Sequence, residues 1–180
     1  WWITVVFKKK YNSANFIMVD FPHQLLRSYI FLKNLFPESN HIVSTDFTDA
    51  NELKNLKGSF IYVTVNDFNK INDINYNLIT NLFSFGEMKR ETFKYYFDSD
   101  AIKNSENILL VNRFVSSPFF EQTYDTDINV LDYINLKSHK INYFDVFPIG
   151  HYYTPFRLLY DLKRDRPISS PYFECVLKRK

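Results

Sequence analysis

Three glycines among 180 residues leave this chain almost no positions where the backbone can approach an anion closely or adopt left-handed conformations freely. A glycine-rich phosphate cradle needs several such positions, because successive amides must face the ligand with no Cβ in the way. Nucleotide-binding loops are therefore excluded. The composition favours a packed core: 46% of the residues are hydrophobic and 19% aromatic, well above what disordered or collagen-like chains carry. This length suits one domain with an elaboration and is short for two ordinary domains.

The single Cys175 rules out an internal disulfide and a cysteine-cluster zinc site. Plain packing of a buried thiol in a reducing compartment is expected. Asn, Ile, Lys, Phe and Tyr are abundant while Ala is as scarce as Gly, a bias whose simplest cause is an AT-rich coding sequence of the kind found in organelle genomes. Trp1 to Phe7 is apolar and Lys8-Lys9-Lys10 follows, the reverse of the charged-then-apolar order of a secretory signal. The first residue is not Met, and further residues upstream are expected. No stretch approaches eighteen consecutive apolar residues, so a soluble protein with no membrane contact is expected.

Twenty-two Lys and Arg against twenty Asp and Glu give a formal charge of +2, low for a dedicated nucleic-acid-binding domain. Phosphate binding depends on local cation density, however, and the cations are unevenly spread. Lys8, Lys9 and Lys10 stand together near the start. Arg157, Lys163, Arg164, Arg166, Lys178, Arg179 and Lys180 face only three acids from residue 157 onward. Two basic ends can grip RNA while the middle of the chain contacts protein.

The apolar pattern reads as alternating strands and helices. Trp2 to Phe7 is expected as a strand, followed by a buried strand over Asn15 to Asp20. Pro22 suits the first turn of a helix that carries Leu25, Leu26, Tyr29, Leu32 and Phe36 at helical spacing and is stopped by Pro37. His41 to Thr45 and Phe60 to Val65 are extended runs within a hairpin-like excursion, and Asn66 to Asn77 is expected to be an irregular insertion. A strand over Leu78 to Phe85, a helix over Glu87 to Phe97 and a strand over Asn107 to Val111 follow. This order fits a ferredoxin-like βαββαβ core with both helices on one face of a single sheet, and with a long excursion between its second and third strands. The fold class is α+β: an N-terminal strand or arm over 1–14, a core over 15–115 and a C-terminal extension over 116–180. Weak helices are expected in that extension at Asp127 to Leu136 and Pro155 to Lys163.

Catalytic and metal-binding patterns are missing. His23, His41, His139 and His151 lack the close pair spacing of metal ligands, and no serine lies in a nucleophile elbow. Asp46 and Asp49 sit in a polar loop, where solvation explains them better than acid–base work. The cluster Tyr152, Tyr153, Phe156 and Arg157 can stack on bases, although packing is the commoner use of such aromatics. No enzyme activity, cofactor, metal or small-molecule substrate is expected.

Asp20-Phe21-Pro22-His23-Gln24-Leu25-Leu26 resembles the first strand-to-helix junction of the universal small-subunit ribosomal protein S-ten family, which commonly reads Ser-Phe-Asp-His-Lys-Leu-Leu. Lys89-Arg90-Glu91-Thr92-Phe93 is similar to that family's Ser-Arg-Glu-Gln-Phe, and Ile79 to Ser84 to its Tyr-Thr-Val-Leu-Arg-Ser. The likeness covers about residues 15 to 112. It implies a ferredoxin-like, non-catalytic constituent of the small-subunit head that binds ribosomal RNA and neighbouring head proteins. With the coding bias, it suggests a divergent, ciliate-like version in the mitochondrial matrix. The family's RNA-reaching hairpin maps to about 46–78, where Asp46, Asp49, Glu52, Asp67 and Asp73 outnumber Lys54, Lys57 and Lys70. The family's Arg-Ser-Pro is Phe83-Ser84-Phe85 here, so RNA contact is expected to shift toward the ends. The residues expected at RNA are thus Lys8 to Lys10, His23, Lys54, Lys57 and the seven cations from Arg157 onward. A second likeness joins Phe85 to Phe97 to the Glu-Arg-Glu segment of the thirty-kilodalton peripheral-arm subunit of respiratory complex I, without that family's His-Pro-Leu-Arg-Lys-Asp.

Overall fold

The computed structural model describes residues 2–116, 128–147 and 171–180. The fold is mixed α+β and divides into two compact units, Trp1–Ile74 and Asn75–Lys180. The expected helix at Pro155 to Lys163 and the cluster Tyr152 to Arg157 lie outside the described residues.

The first unit is a three-stranded parallel sheet, ordered β1-β3-β2, in which β1 is Phe16–Asp20, β2 is His41–Val43 and β3 is Phe60–Thr64. Central β3 is buried from Phe60 to Val63, as befits a strand paired on both edges, and such strands read as unbroken apolar runs. That burial corrects the hairpin-like reading: β2 and β3 run parallel, with His41 opposite Phe60 and Val43 opposite Tyr62. Helix α2 (Pro22–Leu35) starts on Pro22 and buries Leu25, Ser28 and Leu32. Leu25 and Leu32 pack with Val5, Phe60 and Tyr62.

Residues Trp2–Lys10 form helix α1, correcting the strand expected over Trp2 to Phe7. The strand preference of β-branched residues depends on context, and here a helix places Val5 and Lys8 on one face, three residues apart, where both are buried. Lys8, Lys9 and Lys10 then occupy the last turn, where cations offset the negative end of the helix dipole. The insertion expected to be irregular also folds locally. Val65–Ile71 is 3₁₀-helical and buries Phe68 and Ile71.

The helix, the following turn and β3 meet at one knot. Lys8 Nζ donates to Asn12 O at 2.7 Å and Gly58 O at 2.6 Å, and it lies 5.3 Å above the Phe60 ring. Gly58 N donates back to Ser13 O at 2.9 Å. Gly58 has φ +66°, and a Cβ there would stand 2.7 Å from Asn12 O. Gly58→Ala should therefore cost at least about 1–2 kcal/mol from the left-handed backbone alone, before the steric term. Urea titration checks this, and an unchanged midpoint would contradict the knot.

The second unit is a four-stranded mixed sheet ordered β4-β5-β9-β8. Its strands are β4 (Leu78–Leu82), β5 (Asn107–Arg113), β8 (His139–Phe147) and β9 (Tyr172–Arg179), with a short pair β6 (Val115–Ser116) and β7 (Ile128–Asn129) beside it in sequence. β4 and β5 are parallel, and β9 is antiparallel to both β5 and β8. The seven main strands thus bond as one sheet of three and one of four, where a single sheet was expected. Helices α3 (Arg90–Phe97) and α4 (Asp100–Asn104) connect β4 to β5, and α5 (Val130–Ile134) lies within the weak helix expected at 127–136.

The core of this unit joins Phe93 and Phe97 of α3, Tyr133 of α5, Ile108 and Leu110 of β5, and Phe173, Cys175 and Leu177 of β9. Phe93 and Phe97 stack at 5.0 Å, while Tyr133 meets Phe93 at 5.2 Å and Phe173 at 5.3 Å. Burial pushes the Cys175 thiol up to about 11, consistent with a packing role. Asn129 and Asp132 close a capping box at the start of α5. Asp132 also accepts from both arms of Arg90, Nη1 at 3.2 Å and Nη2 at 2.5 Å, which clamps α3 to α5. Arg90 of the resemblance motif therefore ties two helices of the core together.

Candidate nucleic-acid interface

The residues expected at RNA separate into four groups: buried Lys8, scattered exposed side chains, the gathered Lys178 to Lys180, and those outside the described residues. Lys8 is buried with its ammonium on two carbonyls, and burial lowers its pKa. It acts as an internal brace. Lys9 and Lys10 are exposed at the end of α1, with Lys10 5.5 Å above the Tyr11 ring. His23 is exposed in the first turn of α2, stacked on Phe21 at 6.0 Å. Lys54 and Lys57 are exposed near the 3₁₀ turn Ala50–Leu53. Lys54 borders a shallow depression with Asp49, Lys70 and Asp73, a mixed-sign surface with little net pull on phosphate. Arg157, Lys163, Arg164 and Arg166 lie outside the described residues.

Lys178, Arg179 and Lys180 are gathered with cations that the charge pattern along the chain did not single out. β9 runs beside β8 so that Lys178 stands directly opposite Lys140 and Arg179 opposite His139. Lys180 Nζ donates to Lys137 O at 2.8 Å, and Arg179 Nη1 donates to Asn104 O at 2.8 Å. Both heads are thereby positioned while their residues stay exposed. Glu106 and Asn107 line the shallow groove shared with Lys178 to Lys180. Five exposed cations, Lys137, Lys140, Lys178, Arg179 and Lys180, thus lie at one end of the sheet, where Lys140 and Lys178 are register partners and Glu106 lines the groove beside Lys178 to Lys180.

Like charges placed directly opposite across paired strands repel. Among the described residues, neither Lys140 nor Lys178 has an acid within ion-pair distance. Phosphate oxygens would relieve that repulsion. Beneath the cluster, His139 is buried, with one ring nitrogen 2.9 Å from Ser105 O and the other 2.9 Å from Ser138 Oγ. Burial lowers its pKa, and Arg179 and Lys180 lower it further. A neutral ring can donate to the Ser105 carbonyl and accept from the Ser138 hydroxyl, so this histidine serves as a fixed floor. The missed signal was Lys137-Ser138-His139-Lys140, a basic run that leads into β8.

Other polar clusters have local structural explanations. Asp46 accepts Val43 N–H at 3.0 Å, and Asp49 caps its 3₁₀ turn by accepting Asn51 N–H at 2.7 Å. Just past the carboxyl ends of β2 and β3, Asp67 accepts from Ser44 Oγ at 2.6 Å and Thr64 Oγ1 at 2.8 Å, with Lys70 Nζ 3.3 Å away. The Ser44 and Thr64 hydroxyls hold its carboxyl below the usual carboxylate range. Lys70 also donates to Ser44 O at 2.7 Å, so the group ties the ends of two strands together. His41 lies 2.8 Å from Tyr62 Oη and 3.1 Å from Phe36 O, and burial lowers its pKa. Among the described residues no group of three or more His, Cys, Asp or Glu is arranged to hold a metal ion, and no helix is long and apolar enough to cross a membrane. Compared with known proteins, the chain matches no family model and no curated sequence.

Proposed function

We propose that this chain is a non-catalytic, RNA-binding structural subunit of a mitochondrial ribosome, in the small-subunit head. The observation that carries the RNA part is the direct facing of Lys140 and Lys178, with no acid at ion-pair distance among the described residues, within the exposed group Lys137, Lys140 and Lys178 to Lys180. Such a cluster suits a phosphate backbone, where fixed cations replace condensed counterions. The ribosomal part rests on the motif resemblance at residues 20–26, 79–84 and 89–93 and on the organelle-like composition. Of the finer fold reading, a ferredoxin-like core, the crossovers β1-α2-β2 and β4-α3-β5 keep the like strand direction such a core requires, but they belong to separate sheets and β3 runs parallel, not antiparallel, to β1 and β2.

Under this reading the first unit supplies protein contacts, and the basic end of the second holds ribosomal RNA in the mitochondrial matrix. Sedimentation of the native chain tests it. Comigration with small-subunit RNA, lost progressively at raised salt, is the expected result. Comigration with an NADH-oxidising membrane complex would replace it by the peripheral-arm reading, and a free monomer would overturn both.

A further inference from the structure

The solvent side of α2 departs from the pattern of an ordinary surface helix, which carries its apolar residues on the buried stripe and polar ones opposite. Leu25, Ser28 and Leu32 face inward. On the opposite side, at three- and four-residue spacing, lie His23, Leu26, Arg27, Ile30 and Lys33, all exposed. Leu26 is 59% exposed and Ile30 54%, and their spacing makes them neighbours on the helix surface. Phe21, 57% exposed, extends the apolar strip past the helix start through its stack on His23. Isolated exposed aliphatics need no explanation, but a connected strip marks an interaction surface.

Along the helix itself the charge beside the strip has one sign. Helix α2 contains no acidic residue, and among the described residues neither Arg27 nor Lys33 has an acid partner, Lys33 donating to the Pro37 carbonyl at 3.2 Å. From these observations we infer that this face docks an amphipathic helix of a partner protein, one with an apolar stripe bordered by acidic residues. Leu26, Ile30 and Phe21 supply the apolar contact, and Arg27 and Lys33 select the sign of the partner's flanks. A nucleic acid fits poorly, because the centre of the strip is aliphatic and offers no stacking platform. A lipid surface also fits poorly. Membrane-binding helices carry many cations on their polar face, whereas Arg27 and Lys33 are the two fixed cations here and the exposed carboxylates Asp20 and Glu38 stand just beyond the two ends.

The test uses the full chain and a synthetic helical peptide with a leucine stripe bordered by glutamates, beside a second peptide with lysines in place of the glutamates. Fluorescence anisotropy should show the acidic peptide binding at least about tenfold more tightly than the basic one. Leu26→Ser/Ile30→Ser should weaken acidic-peptide binding by about tenfold or more and leave the melting temperature unchanged. Arg27→Glu/Lys33→Glu should reverse the preference between the peptides. Equal binding, or none, overturns the inference. So does a melting temperature lowered by more than about 5 °C in the serine variant, since that would mean the strip is already covered within the chain. Capture by phosphatidylserine vesicles that is tighter than by the acidic peptide and is lost in the Leu26→Ser/Ile30→Ser variant overturns it as well. None of these outcomes bears on the RNA reading, which rests on the other unit.

Discussion

Phe173→Ala is expected to remove about 3–5 kcal/mol of stability from the Asn75–Lys180 unit, the usual cost of emptying a fully buried aromatic site. Phe173 has no solvent exposure. Its ring meets Tyr133 at 5.3 Å, Phe114 at 5.6 Å and Phe144 at 5.6 Å, so its loss leaves a cavity bounded by three large aromatics that cannot all close in. The effect follows from the place of β9, which lies between β5 and β8. Urea unfolding is the measurement, with Leu131→Ala as a control at a 56% exposed position, where a change within about 0.5 kcal/mol is expected. A destabilisation below about 1 kcal/mol for Phe173→Ala, far short of the core range, would mean that β9 does not occupy the core.

Lys140→Glu should move stability and RNA affinity in opposite directions. In the folded unit Lys140 faces Lys178, and reversing one charge converts a repulsive cross-strand pair into an attractive one, worth about 0.2–1 kcal/mol. The same change removes a cation from the phosphate-binding group and sets an anion directly opposite Lys178. Affinity for single-stranded ribosomal RNA should then fall by about tenfold at low salt, and the slope of log affinity against log salt should flatten by about 0.7 for each phosphate that is no longer neutralised. Filter binding across a salt series, paired with thermal melting, gives both readings. Lys178→Glu should behave likewise. A variant that gains stability and keeps its affinity and salt slope would show that these cations do not touch RNA.

The sequence revealed elements whose apolar period was uninterrupted and hid those whose role depends on distant partners. The β1 strand and helix α2 were legible because Pro22 marks the helix start and Leu25 and Leu32 keep the period. Helix α1 was hidden because Ile3, Val5 and Val6 favour a strand locally, and only burial of Val5 and Lys8 decides for the helix. Strand β9 did carry a signal, since Phe173, Cys175 and Leu177 alternate with more exposed residues, but its position after proline-punctuated sequence suggested a peripheral extension. The interface was half legible. Lys178 to Lys180 stood out as a charge run, whereas Lys140 joins them only through strand register, which spacing along the chain cannot reveal.

The interior place of β9 has a consequence for how the protein reaches its native state. Arg113 pairs with Tyr172 at one end of the β5–β9 ladder, and Asn107 with Lys178 at the other, so this pairing must draw together segments far apart in sequence. Local pieces such as the β4-α3-β5 crossover can organise early, but the ladder forms only after a costly loop closure. Until then β5 presents a bare hydrogen-bonding edge flanked by apolar side chains, which invites pairing between molecules at high concentration. Refolding yield should therefore be more sensitive to protein concentration than the final stability suggests, and the second unit is where a chaperone would earliest be needed.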